Sequence, residues 1–179
     1  MNASGQSEIA FSQPCLDRAA HLRGDLPAQQ AYWARPDTRV LLVWRGRVAV
    51  DRGALLRLRP DHPVLDGAFR LFLGHDPDSG APLFAAEIPD WQGSARPDEQ
   101  AFLDTETYPH PALPDGAGFT ELRGVMLDLA PLDAECAATA RSLFEWHRSH
   151  AFCARCGAPS APVMAGWQRH CAACDSPHF

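Results

Sequence analysis

The chain has 179 residues, 46% of them hydrophobic and 21% charged, with a formal net charge of -6. Such a balance supplies a real core and lacks the basic surplus of a general nucleic-acid or acidic-membrane binder. All 16 residues in the lysine-plus-arginine count are arginine, which excludes a Schiff-base lysine and a phosphate-loop lysine.

Met1 to Ala10 is polar and lacks the positive-then-apolar pattern of a secretion signal. No stretch approaches the ~18 consecutive apolar residues of a membrane helix. A cytoplasmic location away from membranes is therefore expected. Val40 to Trp44 and Arg47 to Val50 are apolar runs flanking Arg45-Gly46, which predicts a hairpin. Ala54 to Leu58 is another short apolar run. A second hairpin is expected from Ala68–Leu73 and Pro82–Ala86, because Asp76 to Gly80 between them is rich in turn formers. Residues 89 to 118 read as a loop with one short helical turn around Asp98 to Leu103. Phe119 to Leu129 reads as a strand or short helix.

The clearest helix follows. Pro131-Leu132-Asp133 offers a staple residue and an N-cap. Leu132, Cys136, Ala140, Leu143 and His147 then recur at helical spacing on one face. Cys136 on that face, and Cys15, which has no partner motif, are assigned to packing.

Of the six cysteines, the other four form two C-x-x-C knuckles: Cys153 with Cys156, and Cys171 with Cys174. With 14 residues between the knuckles, four thiolates can converge on one ion at ~2.3 Å each. The chain must turn sharply after each second cysteine. Gly157 and Asp175 are residue types that tolerate the positive φ this requires. A thioredoxin-like redox pair would not need a second copy. A rubredoxin-like iron centre usually repeats the glycine, and Asp175 breaks that pattern. Zinc is the expected metal, one per chain. Four cysteinates fill its shell, so the site is structural. Arg155 and Arg169 lie close enough in sequence to offset its negative charge. Trp167, Phe152 and Val163 are expected to shield it. His147 and His150 fall in the last helical turn, where an imidazole suits the helix dipole better than it suits the metal.

The stretch Leu143-Phe-Glu-Trp146-His147-Arg-Ser-His150-Ala-Phe152-Cys153-Ala-Arg-Cys156-Gly157 resembles the junction between the amino-terminal domain and zinc ribbon of NADH pyrophosphatases, a Nudix hydrolase family. Leu16-Asp-Arg-Ala-Ala-His-Leu-Arg23, Val43-Trp-Arg-Gly-Arg47 and Leu122-Arg-Gly-Val-Met126 fit the same resemblance. It implies an α+β fold: a degenerate Nudix-like α/β sandwich (residues 1–130), a linking helix (131–150) and a zinc ribbon (151–179). Members hydrolyse NADH or NAD to nicotinamide mononucleotide and AMP, some remove NAD caps from RNA, and they form homodimers. Their Nudix box, G-x5-E-x7-R-E-x2-E-E-x-G, holds Mg²⁺ or Mn²⁺ in a domain after the ribbon. This sequence contains no Arg-Glu and no Glu-Glu dipeptide, and its seven glutamates are scattered.

The expectation is therefore a non-catalytic front portion of such an enzyme, inactive by itself. Arg45, Arg123 and Phe179 match family positions that contact substrate. A further contact, a glutamate in the ribbon, falls on Gly166. The competing expectation is a stand-alone zinc-ribbon module docking a protein or nucleic acid. The ribbon is only weakly basic, with few aromatics to interleave.

Overall fold

The computed structural model describes residues 16–97 and 103–179. Cys15 and residues 98 to 102, on which expectations were placed, lie outside them.

The architecture is α+β. A short helix α1 (Leu26–Trp33) starts at Asp25, whose side chain accepts from the Ala28 amide. The hairpin β1 (Arg39–Trp44) and β2 (Arg47–Asp51) follows. Val43 pairs with Val48 and Trp44 with Arg47, so the loop is the two residues Arg45 and Gly46. Both have positive φ, 47° and 72°, as a turn matched to strand twist requires. The run after Gly53 divides between two partners: β3 (Ala54–Leu55) pairs with β2, and β4 (Arg57–Leu58) with β1.

The second expected hairpin is also present. β5 (Phe69–His75) pairs antiparallel with β6 (Pro82–Glu87) and is bulged between Phe72 and Gly74. Asp76 caps the turn by accepting from the Asp78 and Ser79 amides. A Cβ on Gly74 would fall 2.0 Å from the carbonyl oxygen of Asp17, so only glycine lets residues 17–18 cross there. β7 (Tyr108–Pro109) and β8 (Gly118–Glu121) complete the sheet. The Phe119–Leu129 stretch is both of the alternatives expected, because β8 runs directly into the single turn α2 (Leu122–Val125).

The strand order is β5-β6-β1-β2-β8-β7. β1 lies parallel to β6 and antiparallel to β2. This central position explains its unbroken apolar sequence, since both faces are covered. Alternation still sorts the side chains. Leu41 and Val43 join Val48, Leu71 and Leu73 on one face; Val40, Leu42 and Trp44 join Ala49, Phe72, Phe84 and Phe119 on the other. Tyr32 and Trp33 of α1 cover the second face.

The first face is covered by α3 (Pro131–Ser149) through Ala134, Cys136, Ala137, Ala140 and Phe144. Cys136 packs there as expected, and burial pushes its thiol up to about 12. The helix start corrects the sequence reading. Pro131 occupies the first turn and Ala130 is the N-cap, with no side-chain cap. Proline needs no amide partner and presets the helical φ. Asp133 lies inside the helix and pairs with Arg57.

The ribbon is a three-stranded sheet of β9 (Ala161–Val163), β10 (Gln168–Cys171) and β11 (Ser176–His178), with β10 central. It docks against β5, the terminal strand of the large sheet. Trp167 Nε1 donates to the Phe72 carbonyl at 2.6 Å, and the Arg23 guanidinium lies 3.5 Å from the centre of the indole ring.

Candidate metal centre and arginine-lined cleft

The four expected cysteines converge. Their sulfurs all lie within 4.8 Å of one another, with Cys153–Cys174 and Cys156–Cys171 each at 3.6 Å. A tetrahedron with ~2.3 Å bonds has S–S edges of about 3.8 Å, so the donor set fits zinc. The two knuckles repeat one backbone design. Gly157 N donates to Cys153 O at 2.9 Å, and Asp175 N donates to Cys171 O at 2.8 Å. Gly157 has φ 77° and Asp175 φ 58°, the turns expected of them. Cys153 and Cys171 are buried, while Cys156 is exposed. The Ser176 hydroxyl and the Cys156 thiol hold Cys174 down at about 6.

Phe152 is 67% exposed and Val163 36%, and Trp167 bonds to the Phe72 carbonyl of the front domain. Arg169 is buried and bonds to Ser160, Ala151 and His147, and the backbone amide of Arg155 donates to Cys153 Sγ at 3.4 Å. His147, expected to serve the helix dipole, faces the ribbon. It is buried, and desolvation lowers its pKa. His150 is exposed and lies 2.8 Å from the Ser149 hydroxyl.

Arg45 and Arg123, 78 positions apart, line one cleft of about 740 Å³. The β1–β2 turn supplies Arg45, Gly46 and Arg47, and the end of β6 supplies Glu87 with Asp90 beyond it. β8 and α2 supply Glu121 and Arg123, and α3 supplies Arg141, Glu145 and Arg148. Gly46 sits against α3, accepting from Arg141 Nε at 2.9 Å. Arg45 holds a left-handed backbone, which costs a non-glycine residue about 1–3 kcal/mol. Phe179 does not line the cleft; it is 88% exposed at the end of the ribbon.

Each cleft arginine meets a carboxylate or carbonyl. Arg45 grips Asp90 through Nε and Nη2, and Trp44 Nε1 donates to the same carboxylate at 2.8 Å. These bonds bring Asp90 down to about 2. Arg123 pairs with Glu121. Burial works to raise Glu121, but the Asp104 amide and Arg123 outweigh it and hold the carboxyl low. Arg148 pairs with Glu145 at 2.7 Å. Glu87 is raised, by burial first and then by Glu145, against the pull of Arg148. Beneath them Arg47 and Asp104 form a buried pair at 2.6 Å. Sequence reasoning missed Arg47, Arg141, Glu145, Arg148 and the carboxylates. The spacing of 141, 145 and 148 was a usable signal, since it places three charged residues on one helix face.

Residues 37–146 match the family described as an NADH pyrophosphatase-like rudimentary NUDIX domain, and residues 148–179 match the NADH pyrophosphatase zinc ribbon domain. The NAD-capped RNA hydrolase NudC of Mycobacterium tuberculosis (strain ATCC 25618 / H37Rv) is 31% identical over 179 residues, covering 94% of this chain and 50% of that protein. The mitochondrial NAD(P)H pyrophosphatase NUDT13 of Homo sapiens is 42% identical over 53 residues, 30% of this chain and 15% of that protein. The chain thus spans about half the length, or less, of the curated relatives it matches. Among the described residues, no helix is long and apolar enough to cross a membrane.

Proposed function

Because this chain belongs to the NADH pyrophosphatase-like family with a rudimentary Nudix domain and a zinc ribbon, we propose that it is the non-catalytic front portion of an NAD(H) pyrophosphatase. The parent would cleave NADH or NAD to nicotinamide mononucleotide and AMP, or remove the NAD cap from RNA. We divide the chain into a Nudix-like domain (1–130), a linking helix (131–150) and the ribbon (151–179). Cys153, Cys156, Cys171 and Cys174 hold one structural zinc, and thiolate ligands suit a reducing compartment such as the cytoplasm. Catalytic Mg²⁺ or Mn²⁺ belongs to a Nudix box, which this sequence does not contain.

The observation that carries this reading is the shared cleft of Arg45 and Arg123. Asp90, Glu121 and Glu145 are each paired with a cleft arginine, and among the described residues the one grouping suited to a metal is the cysteine set. That arrangement suits binding a polyanion. The Arg45–Asp90 pair is solvent-accessible, and such pairs are worth only ~0–1 kcal/mol. A phosphate of a dinucleotide can therefore replace Asp90 at the Arg45 guanidinium, while the half-exposed Arg123 keeps Glu121 and offers its outer face. Phe179 remains a candidate contact from outside the cleft.

Two measurements test the reading. With Mg²⁺ or Mn²⁺ supplied, NADH hydrolysis should stay at background, and turnover that survives removal of contaminants would sink it. Calorimetric titration should show NADH binding that Arg45→Ala with Arg123→Ala weakens by about tenfold or more. The parent is proposed to be a homodimer whose interface lies partly outside this chain. Light scattering should therefore find weak self-association at low micromolar concentration, and a tight dimer would overturn that assignment.

A further inference from the structure

We propose that His147 is a positioning residue through which zinc occupancy of the ribbon sets the geometry of the arginine-lined cleft.

One helix serves both sites. The last three turns of α3 direct Arg141, Glu145 and Arg148 to the cleft. From the same turns His147 is buried toward the ribbon. Its tautomer follows from its partners. Arg169 can only donate, and its Nη1 lies 2.9 Å from His147 Nδ1. Nδ1 is therefore the acceptor, and Nε2 carries the hydrogen donated to Gly166 O at 2.7 Å. Both ring nitrogens are engaged by ribbon residues.

Arg169 also closes the end of the helix. The last carbonyls of a helix have no partner within it. Arg169 Nη1 reaches one of them, His147 O, at 3.4 Å, and Nη2 reaches Ala151 O, just beyond the helix, at 3.5 Å. The cap is thus supplied by β10, two residues before the ligand Cys171. Phe69 completes the path. Its ring meets those of His147 and Phe144 edge-on, with centroids at 5.2 and 5.7 Å, and Phe69 itself lines the cleft.

Without zinc the ribbon has too little apolar core to hold β10 in place. Arg169 and Gly166 then leave His147, and the helix end loses both its cap and its buried anchor. Glu145 and Arg148 lie on the turn that frays, so the cleft loses one wall. This inference rests on the cleft reading above only for its ligand; the mechanical coupling stands on the helix.

The test uses the full chain with one equivalent of zinc bound. Amide exchange is followed in the untreated protein, after chelation, and in zinc-loaded His147→Phe, which keeps an aromatic ring beside Phe69 but has no ring nitrogens. His147→Asn, which restores an acceptor for Arg169, serves as partial rescue. Chelation and His147→Phe should each speed exchange at residues 145–150 by about tenfold or more, with β1, β2 and β6 unchanged. Titration with inorganic pyrophosphate should weaken about fivefold in both cases, and His147→Asn should recover part of each effect. Residues 145–150 remaining protected after zinc removal would overturn the coupling, even if His147→Phe fails to fold. Absence of pyrophosphate binding by the untreated protein would overturn the cleft reading alone, and the exchange data then decide the coupling.

Discussion

A Cβ on Gly166 would fall 2.0 Å from Cδ2 of Leu71, on the terminal strand of the large sheet. Gly166 also has φ 89°, so a side chain there is excluded by both space and backbone. The resemblance aligned this position with a glutamate that contacts substrate. In this chain it is instead where ribbon and sheet touch. Gly166→Ala should cost about 2–4 kcal/mol, from overpacking and an unfavourable φ together. Urea denaturation measures this, and a loss below ~1 kcal/mol would mean that the ribbon does not rest on Leu71.

The metal prediction concerns what survives without the ion. The ribbon of ~30 residues is below the size that folds on its own core, and zinc binding to such knuckles supplies on the order of 10–16 kcal/mol of apparent free energy. Metal analysis should find one zinc per chain. Cys156→Ser or Cys171→Ser should release it and unfold the ribbon, while strands β1, β2 and β6 keep their exchange protection. A metal-free chain with a protected ribbon would refute the prediction.

Arg47 and Asp104 should form the most sensitive ion pair of the front domain. Asp104 accepts from Arg47, from the Tyr108 hydroxyl at 2.8 Å and from the Glu106 amide at 3.0 Å, and both charges are buried. Arg47 Nε already has no partner. Asp104→Ala would strand the guanidinium, at a cost of about 3–5 kcal/mol. Thermal or urea unfolding checks this. Arg59→Ala, which breaks the exposed Arg59–Asp61 pair, should by contrast change stability by less than ~1 kcal/mol.

Glu87 predicts a pH effect of definite sign. Its folded pKa is raised by burial and by Glu145, so the folded state holds that proton more tightly than the unfolded chain. Its contribution to stability is fully present below the unfolded value of ~4.3 and is lost as pH rises through the folded value. Glu87→Gln should therefore stabilise the protein at pH 7, with the gain disappearing by pH 4. A variant equally stabilised at both pH values would show that its ionisation is not the cause.

Local signals in the sequence carried much of this architecture. Arg45-Gly46 and Asp76 to Gly80 marked two hairpins, because turn residues act over four or five positions. The cysteine spacing marked the metal site, because a tetrahedral ion imposes its geometry on short loops. The cleft was only half legible. Arg45 and Arg123 came from the resemblance, whereas Glu87 and Asp90 reach the cleft because β6 runs parallel beside β1, a pairing between residues more than forty positions apart that no local periodicity records. His147 was misread for a related reason. Its position in the last turn suggested an imidazole serving the helix dipole, although its spacing from Cys136 and Ala140 already placed it on the packed face. Local spacing does not record that the ribbon supplies the partners of both ring nitrogens.

The docking of Trp167 on the Phe72 carbonyl has a consequence for how the protein copes with metal scarcity. β5 ends the sheet order, and the bonds from Trp167 to Phe72 O and from His75 N to Asp17 O occupy backbone groups that would otherwise face outward. An uncovered strand of this kind is a template for pairing with another chain. Phe69-Arg-Leu-Phe-Leu73 carries a single charge and no proline, so it has little to discourage such pairing. Zinc would then act as a safeguard of solubility: molecules stripped of it become sticky along one rim and cluster while their sheet is still folded.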